Sequence, residues 1–472
     1  MKLFKILFAI FAFMAFLFSG QAQVYHYMTG EIIPDAKHGQ LRLKKGIFQG
    51  YDSEYGVLIV KENRHERDSR LINIPVIIVH SFNDHPKEPV FLLNGGPGAS
   101  NIWERNFPDF LLDNHPIVMI GYRGVDGSVC MSCPEVRKTL LNCNMSLASE
   151  DSIELIHSWE NCFSRFRKDM IDIRGYIIEE VVDDIECVRT ALDYENINLF
   201  SYSFGTIIGQ FFMLKYPENV HASILIGTRP LGHYFHNSAV IEKRLNKFYK
   251  HWINSSENTR DSVLSYAVVS ETFRNIGNHQ KINMNKDRLM LLFFRSLYSY
   301  SETANLIDNL LDYAQGDIDA ITKFCEEFEN TFFKDIMLGD YAVKISSCFS
   351  NNYPEMKLDS NNHLIGASLA VATNKWNNLM MSAIPSDFIC NYPELADIQI
   401  NTLFINGEYD FISPEEELRE YLYPVFNNYS VIKARDLGHE DLISKGVSEN
   451  IESISCFFTD EKNHGCIQKE KK

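Results

Sequence analysis

The stretch NINLFSYSFGTIIGQFFMLKYP, residues 196–217, decides the fold of this chain. An apolar run leads into the pentapeptide SYSFG, and a helical pattern follows it. The pentapeptide differs by one residue from G-x-S-x-G, in which the serine stands on a strained turn between a strand and a helix. Gly205 meets the need for a small residue at this turn, and Ser201 adds only a hydroxymethyl group. The pattern therefore predicts that Ser203 is a nucleophile.

Strand and helix patterns alternate on both sides of this stretch. Short apolar runs end in glycine-containing loops at residues 89–98 and 115–124, and another apolar run lies at 222–227. Residues 177–193 have helical spacing, whereas residues 41–82 show the period-two alternation of antiparallel strands. We therefore predict an α/β fold in which a mostly parallel sheet is flanked by helices.

The alternation is interrupted in the second half of the chain. Between residues 231 and 395 strand signals nearly vanish, and runs such as RLMLLFFRSLYSY at 288–300 have helical periodicity. A strand pattern returns at 398–407. We predict a core formed by residues 23–230 and 396–472, with residues 231–395 inserted as a helical cap.

Residues 1–22 have the pattern of a cleavable export signal. Lys2 and Lys5 precede an apolar run at residues 7–18, and small residues lead up to Ala22. The run is short for a membrane span, and no second apolar run follows. We predict cleavage near Ala22, export to the periplasm or the cell exterior, and no stable membrane anchor.

Composition excludes some classes of partner. The formal net charge of −17 leaves no basic stripe to meet phosphates, so we expect no nucleic-acid binding. The ten cysteines are an even number, which in an exported chain indicates disulfides. Cys130-x-x-Cys133 lacks a second closely spaced pair, so we expect no zinc site. We expect no other cofactor, and the oligomeric state is not readable.

A nucleophilic serine needs a base, and the base needs an acid to orient it. In folds with this turn, the acid and then the histidine follow the serine along the chain. Asp410 follows an apolar strand pattern by a short loop, and His439 comes 29 residues later after the next strand pattern. We predict the triad Ser203, Asp410 and His439, with Glu408 as a competing candidate for the acid.

Hydrolysis through a serine also needs donors for the oxyanion. One should be the backbone N–H of Phe204, directly after the nucleophile. The loop NGGPG, residues 94–98, follows an earlier strand pattern, and its glycines let the main chain approach a substrate. We predict the N–H of Gly96 as the second donor, with Gly95 as a close rival.

Five motifs in this order resemble those of the prolyl aminopeptidase and tripeptidyl aminopeptidase family of α/β-hydrolases. The motifs are LLNGGPGAS, YRGVDGSVCMSCPE, the acidic helix with SYSFGT, TLFINGEYDFISPEE and DLGHED. The resemblance runs over residues 88–230 and 385–466. It implies an α/β-hydrolase fold with an inserted cap, and a serine exopeptidase that releases N-terminal proline or short peptides.

The chain departs from the family pattern at three places. Ser201 replaces the first glycine of the nucleophile turn, and Gly121 stands where the pattern D-x-R-G has its aspartate. GTRP, residues 227–230, replaces an acidic turn. The segment that begins at Arg123 resembles the pattern R-G-x-G-x-S. These departures leave the triad intact and put in doubt which peptide is cut.

The resemblance also implies a disulfide. In exported members of the tripeptidyl branch, two cysteines are similar in position to Cys133 and Cys162, which implies a bond between them. Two further candidate pairs are Cys348 with Cys390 and Cys456 with Cys466.

Several functions stay open. An exopeptidase that acts on peptides needs a carboxylate to bind the free amino group, and the cap offers Glu302, Glu326, Glu327 and Glu329. An esterase acting on small acyl esters would use the same triad. A serine carboxypeptidase shares the NGGPG loop but has a different nucleophile motif, E-S-Y-A-G. An inactive hydrolase fold used for binding is the remaining alternative.

Overall fold

The computed structural model describes residues 35–102, 107–142, 149–233, 235–255, 264–276, 282, 284–336, 364–382, 385 and 393–459. The predicted export signal, residues 1–22, lies outside the described residues. Within these described ranges nine strands are formed: β1 Gln40–Phe48, β2 Tyr51–Lys61, β3 Leu71–Val79, β4 Val90–Leu93, β5 Ile117–Ile120, β6 Ile197–Tyr202, β7 Val220–Ile226, β8 Asn401–Gly407 and β9 Tyr429–Ala434.

All nine strands belong to one sheet, in the order β1-β2-β3-β5-β4-β6-β7-β8-β9. Strand β2 pairs antiparallel with both β1 and β3, and β3 pairs antiparallel with β5. From β5 to β9 every neighbouring pair is parallel. The mostly parallel sheet and the antiparallel hairpins before residue 82 are therefore as predicted.

The longer α-helices of the described residues are α1 Pro134–Asn142, α2 Ser149–Lys168, α3 Ile178–Ala191, α4 Phe204–Lys215, α5 Ser238–Ile253, α6 Tyr266–Arg274, α7 Lys286–Arg295, α8 Tyr300–Ala314, α9 Ile318–Ile336, α10 Ile365–Ser382 and α11 Ile451–Thr459. The elements described between β7 and β8 are all helical. These helices lie within the segment 231–395, and its role as a cap stays a prediction.

The sheet has apolar layers on both faces. Alternate residues of β4 enter two different clusters, Phe91 and Leu93 in one and Val90 and Leu92 in the other. Period-two alternation explains why a strand buried on both faces reads as a continuous apolar run. Helices α1 to α4 contribute to the first cluster, whereas α11 contributes Phe457 to the second.

The parallel pairing brings several loops to one edge of the sheet. The carboxyl ends of β4, β6, β8 and β9 lie side by side, since Leu93 pairs with Ser201 and Gly407 pairs with Ala434. Loops that follow parallel strands meet at this edge, where open α/β sheets bind their ligands. Gly96, Ser203, Asp410 and His439 lie in these connections, and Phe204 is the first residue of α4.

Two structural predictions outside the sheet can be compared with the fold. Cys133 and Cys162 form a disulfide with a Cα–Cα distance of 5.6 Å, which confirms that pairing. Cys456 is also disulfide-bonded, but Cys466, Cys348 and Cys390 lie outside the described residues. Among the helices of the described part of the chain, none is both long enough and apolar enough to span a membrane.

Candidate active site

Ser203 stands on the tight turn between β6 and α4. Its backbone has φ 53° and ψ −121°, a left-handed conformation that a residue other than glycine rarely adopts. Such a conformation costs about 1–3 kcal/mol and persists only where surrounding contacts enforce it. Here the N–H of Ser203 donates to the carbonyl of Ile226 on β7 at 2.9 Å. The turn therefore holds the side chain at the carboxyl end of the sheet.

Gly205, two residues after the nucleophile, must be glycine because the backbone of β4 approaches it closely. A β-carbon at Gly205 would lie 2.1 Å from the carbonyl oxygen of Leu93 on β4, which no side chain can meet. Position 201 is less confined, because the space beside it is left open by Gly209 on α4. The motif thus keeps its second glycine and tolerates serine in place of the first.

The three residues predicted as a triad lie together in one hydrogen-bonded row. Nε2 of His439 lies 2.7 Å from Oγ of Ser203, and Nδ1 of His439 lies 2.8 Å from Oδ2 of Asp410. Asp410 and His439 are both buried. A neutral imidazole with its proton on Nδ1 would present the lone pair of Nε2 to the serine hydroxyl.

The carboxylate of Asp410 is held by its own loop. Oδ1 accepts from the N–H groups of Ile412 and Ser413, both at 2.8 Å, and Oδ2 accepts from the Ser413 hydroxyl as well as from His439. Burial favours the neutral acid. The electrostatic interaction and hydrogen bond with His439, together with the hydrogen bonds from Ser413, outweigh burial and lower the pKa of Asp410 to about 2. Asp410 therefore stays ionised beside the imidazole.

Ser413 was not found by the sequence reasoning. Its hydroxyl lies 3.2 Å from Nδ1 of His439, in addition to its bond with Asp410. A signal was present, because an aspartate followed after two residues by serine is typical of a side-chain-capped turn. Glu408, the competing acid, pairs instead with Lys247 of α5 at 2.7 Å. No contact between Glu408 and His439 appears among the described residues.

The ring of His439 is packed on several sides. Tyr202 stacks on it at a centroid distance of 5.6 Å, and Tyr298 meets it edge-on at 6.0 Å. A β-carbon at Gly227 would lie 2.9 Å from Cε1 of the ring, so the GTRP turn also closes against it. The imidazole therefore has little freedom to turn away from Ser203.

The insertion contributes directly to the histidine loop. Oδ2 of Asp441 accepts two N–H groups at 2.8 Å, one from Gly438 beside the histidine and one from Tyr300 at the start of α8. The N–H of Glu440 donates to the carbonyl of Tyr298 at 2.8 Å. The loop that carries His439 is thus fastened to the inserted helices.

The predicted oxyanion donors belong to the loop after β4 and to the start of α4, and the first of these approaches the nucleophile at Gly95, where a β-carbon would lie 2.5 Å from Cβ of Ser203. Among the described residues, neither the N–H of Gly96 nor that of Phe204 donates a hydrogen bond. The N–H of Gly95 instead donates to Oδ1 of Asn94 at 2.8 Å. Gly96 has a backbone φ of 63°, a conformation that glycine adopts more readily than other residues. This difference favours Gly96 over its rival Gly95 as a donor to a substrate.

The cap carboxylates differ in their surroundings. Glu302 contacts Arg295 at 3.3 Å, and the same guanidinium binds Glu440 of the histidine loop at 2.8 Å. Arg295 also lies over the ring of Tyr298, which contacts His439. This group, Glu302, Arg295 and Glu440, is called the acidic cluster below. Glu326 and Glu327 are exposed on α9, and the side chain of Glu329 lies outside the described residues.

The arrangement as a whole can carry out nucleophilic acyl chemistry. It offers a hydroxyl, an imidazole that can accept its proton, an ionised acid behind the imidazole, and backbone donors for a developing negative oxygen. Within the described part of the chain, no three His, Cys, Asp or Glu side chains are grouped as a metal site would require.

Comparison with known proteins agrees with this architecture. The sequence profile of the α/β-hydrolase fold matches residues 88–446 of the chain. No curated protein sequence matches it. Residues 88–446 include both halves of the parallel sheet, the insertion and every residue of the candidate site.

Solved structures of hydrolases are also similar. A serine hydrolase from the polyaromatic hydrocarbon-degrading bacterium Cycloclasticus zankles is 14% identical, with a TM-score of 0.36 over 86% of this chain and 98% of that one. A structure of epoxide hydrolases from metagenomes of hot environments is 13% identical, with a TM-score of 0.38 over 89% of this chain and 99% of that one. A thermophilic esterase from Thermogutta terrifontis is 14% identical, with a TM-score of 0.35 over 85% of this chain and 99% of that one. Similarity at this level does not indicate a shared substrate.

Proposed function

Because this chain belongs to the α/β-hydrolase fold family, we propose that it is a serine hydrolase that cleaves an acyl bond through an acyl-enzyme on Ser203. One observation carries the proposal. An unbroken row of hydrogen bonds joins Asp410 to His439 at 2.8 Å and His439 to Ser203 at 2.7 Å, at the carboxyl edge of the sheet.

In the first half of the reaction, Oγ of Ser203 attacks the substrate carbonyl carbon, and Nε2 of His439 takes the hydroxyl proton. Asp410 stabilises the imidazolium that results. The carbonyl oxygen becomes negative, and the N–H groups of Gly96 and Phe204 donate to it. Donors of this kind are each worth about 100- to 1000-fold in rate.

His439 next gives its proton to the leaving nitrogen or oxygen, and the bond from the carbonyl carbon to that atom breaks, which leaves the acyl-enzyme on Ser203. Water then attacks the ester formed on Ser203, again with His439 as the base. Ser203 leaves with a proton, and a carboxylic acid is released. All proton transfers pass through the one imidazole.

For the substrate, we propose a peptide with a free amino terminus. The five motifs that resemble prolyl and tripeptidyl aminopeptidases support this class. The acidic cluster supports it as well, because two carboxylates share one guanidinium next to the tyrosine that contacts His439. Its net negative charge would attract an ammonium group. Glu302 and Glu440 are the candidate partners of that group.

An esterase acting on small acyl esters is the second candidate. One observation favours it: Arg295 already contacts both carboxylates of the acidic cluster, so neither is left without a cationic partner. The leaving group of an ester is an alcohol, which needs less help from a proton donor than the amine that leaves from a peptide. The same triad would serve both reactions.

A fluorophosphonate probe tests the proposal that Ser203 is the nucleophile. The wild-type protein should be labelled, and Ser203→Ala should not. Equal labelling of both proteins would show that another residue reacts with the probe and would overturn the role of Ser203. Absence of labelling from the wild type would favour the inactive binding protein.

A substrate panel separates the two candidate functions. Aminoacyl arylamides with a free amino terminus should be hydrolysed, and the same compounds with an acetylated amino terminus should not. Glu302→Gln should raise KM for the free amines and leave KM for p-nitrophenyl acetate unchanged. Turnover of esters alone would identify an esterase, and release of carboxyl-terminal residues would identify a carboxypeptidase.

We also propose that the protein is exported. The disulfide between Cys133 and Cys162 supports this location, because such bonds persist in oxidising compartments and are rare in the bacterial or eukaryotic cytosol. The leader-like residues 1–22 support it independently. Amino-terminal sequencing of the mature protein should begin near residue 23.

A further inference from the structure

The loop that carries Gly96 depends on side chains for its shape. It connects β4 to residue 102, and the N–H of Ala99 donates to the carbonyl of Gly96 at 2.7 Å. Asn101 is fully buried at its far end and accepts from the N–H of Asn94 at 2.6 Å. Residues 94–101 are called the oxyanion loop below.

Asn101 also fastens the oxyanion loop to the sheet. Its Nδ2 donates to the carbonyl of Leu92 on β4 at 2.9 Å and to the carbonyl of Ile120 on β5 at 2.7 Å. Both carbonyls lie where these parallel strands end. A single amide side chain thereby satisfies two strand ends and the start of the loop.

Asp126, in the loop after β5, holds the same segment from the other side. Oδ1 accepts from the hydroxyl of Ser100 at 2.6 Å, and Oδ2 accepts from the N–H of Asn101 at 3.0 Å and of Tyr122 at 2.8 Å. The hydroxyl of Tyr122 in turn donates to the carbonyl of Asn94 at 3.1 Å. One carboxylate therefore joins the two loops that follow β4 and β5.

The position of this carboxylate explains the departure at Gly121. A β-carbon at Gly121 would lie 2.5 Å from Cβ of Asp126 and 2.6 Å from Cγ of Pro75, so no side chain fits there. The pattern D-x-R-G places an aspartate at position 121, and R-G-x-G-x-S places a glycine at position 126. In this chain the aspartate and the glycine have exchanged places, and Asp126 fills the space over Gly121.

We propose that Asp126 is a positioning residue that fixes the oxyanion loop, so that the N–H of Gly96 is held in place for the substrate oxygen. The inference rests on the proposed hydrolysis at Ser203. Asp126 acts through Ser100 and Asn101 and not on the substrate itself. A displacement of the donor by about 1 Å is enough to cost about 100-fold in rate.

The test compares Asp126→Ala and Asp126→Asn with the wild type on one p-nitrophenyl ester. Alanine removes three accepted hydrogen bonds, and we expect kcat to fall about 10- to 100-fold with KM within about threefold. The affinity for phenylboronic acid, which forms a tetrahedral adduct on the serine, should fall about 10-fold. Asparagine should restore most of kcat, since its amide oxygen can accept both N–H groups and its nitrogen can donate to Ser100.

Asp172→Ala is the matched control. Asp172 also organises a loop, where it accepts from Nδ2 of Asn63 at 2.8 Å and from the N–H of Arg174 at 3.2 Å. In the described part of the chain it forms no hydrogen bond with the oxyanion loop. Its kcat should stay within about twofold of the wild type. Equal losses of kcat in Asp172→Ala and Asp126→Ala would mean general destabilisation and overturn the inference.

The outcomes separate this inference from the proposed function. A wild-type protein without fluorophosphonate labelling or turnover would overturn the proposed hydrolysis. A labelled, active wild type with full kcat in Asp126→Ala would overturn only the role of Asp126. If Asp126→Ala does not fold, Ser100→Ala decides: a kcat lowered about threefold at unchanged Tm supports the inference, and an unchanged kcat overturns it.

Discussion

The hydroxyl of Ser201 lies over Gly209, so close that a β-carbon at position 209 would be 2.8 Å from its oxygen. Ser201 is buried, and its hydroxyl forms no hydrogen bond among the described residues. The absence of a side chain at Gly209, one turn into α4, is what makes room for serine at the first glycine position of the nucleophile turn.

Ser201 and Gly209 should therefore be energetically coupled. We expect Ser201→Gly to leave kcat within about threefold of the wild type, because no described residue forms a hydrogen bond with the hydroxyl. Gly209→Ala should destabilise the wild type through the close contact. In the Ser201→Gly background it should be neutral or stabilising by up to about 1 kcal/mol, since alanine favours a helix.

A double-mutant cycle by urea unfolding measures this coupling. Independent, additive effects of the two substitutions would contradict the steric explanation. A loss of activity in Ser201→Gly alone would show that the hydroxyl has a catalytic role.

The acid of the triad can be assigned by comparing Asp410→Asn with Glu408→Gln. Asp410→Asn should lower kcat by about 10⁴-fold, because an amide next to Nδ1 favours the wrong imidazole tautomer. Glu408→Gln should keep kcat within about threefold, since Glu408 bonds Lys247. Steady-state kinetics on one ester at fixed pH decides between them, and the reverse ranking would reassign the acid.

Asp410 should also make stability depend on pH at low pH. Its pKa is lowered from 3.8 to about 2 in the folded protein. A lowered pKa contributes stability that is present above pH 4 and is lost as the pH falls towards 2. The shift corresponds to about 2 kcal/mol.

Urea unfolding of the wild type and Asp410→Asn between pH 2 and 6 measures this contribution. The difference in unfolding free energy between the two proteins should change between pH 4 and pH 2 and stay constant above. A difference that does not vary with pH would mean that Asp410 titrates normally.

Gly95 and Gly96 should respond differently to alanine. A β-carbon at Gly95 would lie 2.5 Å from Cβ of Ser203, so Gly95→Ala should displace the nucleophile and lower kcat by at least about 100-fold. At Gly96 the nearest atom, Cβ of Ala99, is 3.5 Å away, but φ is 63°. Gly96→Ala should cost about 1–2 kcal/mol of backbone strain.

Rates of fluorophosphonate labelling and thermal unfolding distinguish the two glycine effects. Gly95→Ala should slow labelling by at least about 100-fold because the nucleophile is displaced, whereas Gly96→Ala should lower Tm with a smaller effect on labelling. Equal labelling rates in Gly95→Ala and the wild type would contradict the predicted clash.

Asp441 should couple the inserted helices to the catalytic base. Its carboxylate accepts from both Gly438 and Tyr300, so Asp441→Ala leaves two backbone donors without their acceptor. We expect kcat to fall about 10-fold with little change in KM. Asp441→Asn keeps an acceptor oxygen and should recover most of the activity. A shared loss in both variants would show that charge matters and not the bridge.

Much of the fold and of the site could be predicted from local sequence. Apolar runs that end in glycine loops define buried parallel strands, and such strands bring their following loops to one edge. Ser203, Asp410 and His439 each follow a strand pattern, so their meeting could be inferred without coordinates. The prediction of the disulfide between Cys133 and Cys162 rested on the resemblance to a family and not on the spacing of the cysteines.

The supporting contacts could not be predicted in this way. Asp126, Asn101 and Asp441 are ordinary polar residues in their local sequence, and their partners lie on other loops or on the inserted helices. The choice of Gly96 over Gly95 depends on where the side chain of Asn94 turns. Sequence periodicity reports which face a residue occupies, and it contains no information on distances between separate loops.

The sequence by itself determined the order of the motifs along the chain, the α/β-hydrolase fold and the three residues predicted as a triad, because these follow from local patterns and residue types. The tertiary structure alone decided how the groups are held: Ser201 over Gly209, Asp126 between two strand ends, and the histidine loop fastened to the insertion. Those contacts depend on the packing of segments far apart in the chain, where small differences in distance decide whether a hydrogen bond forms.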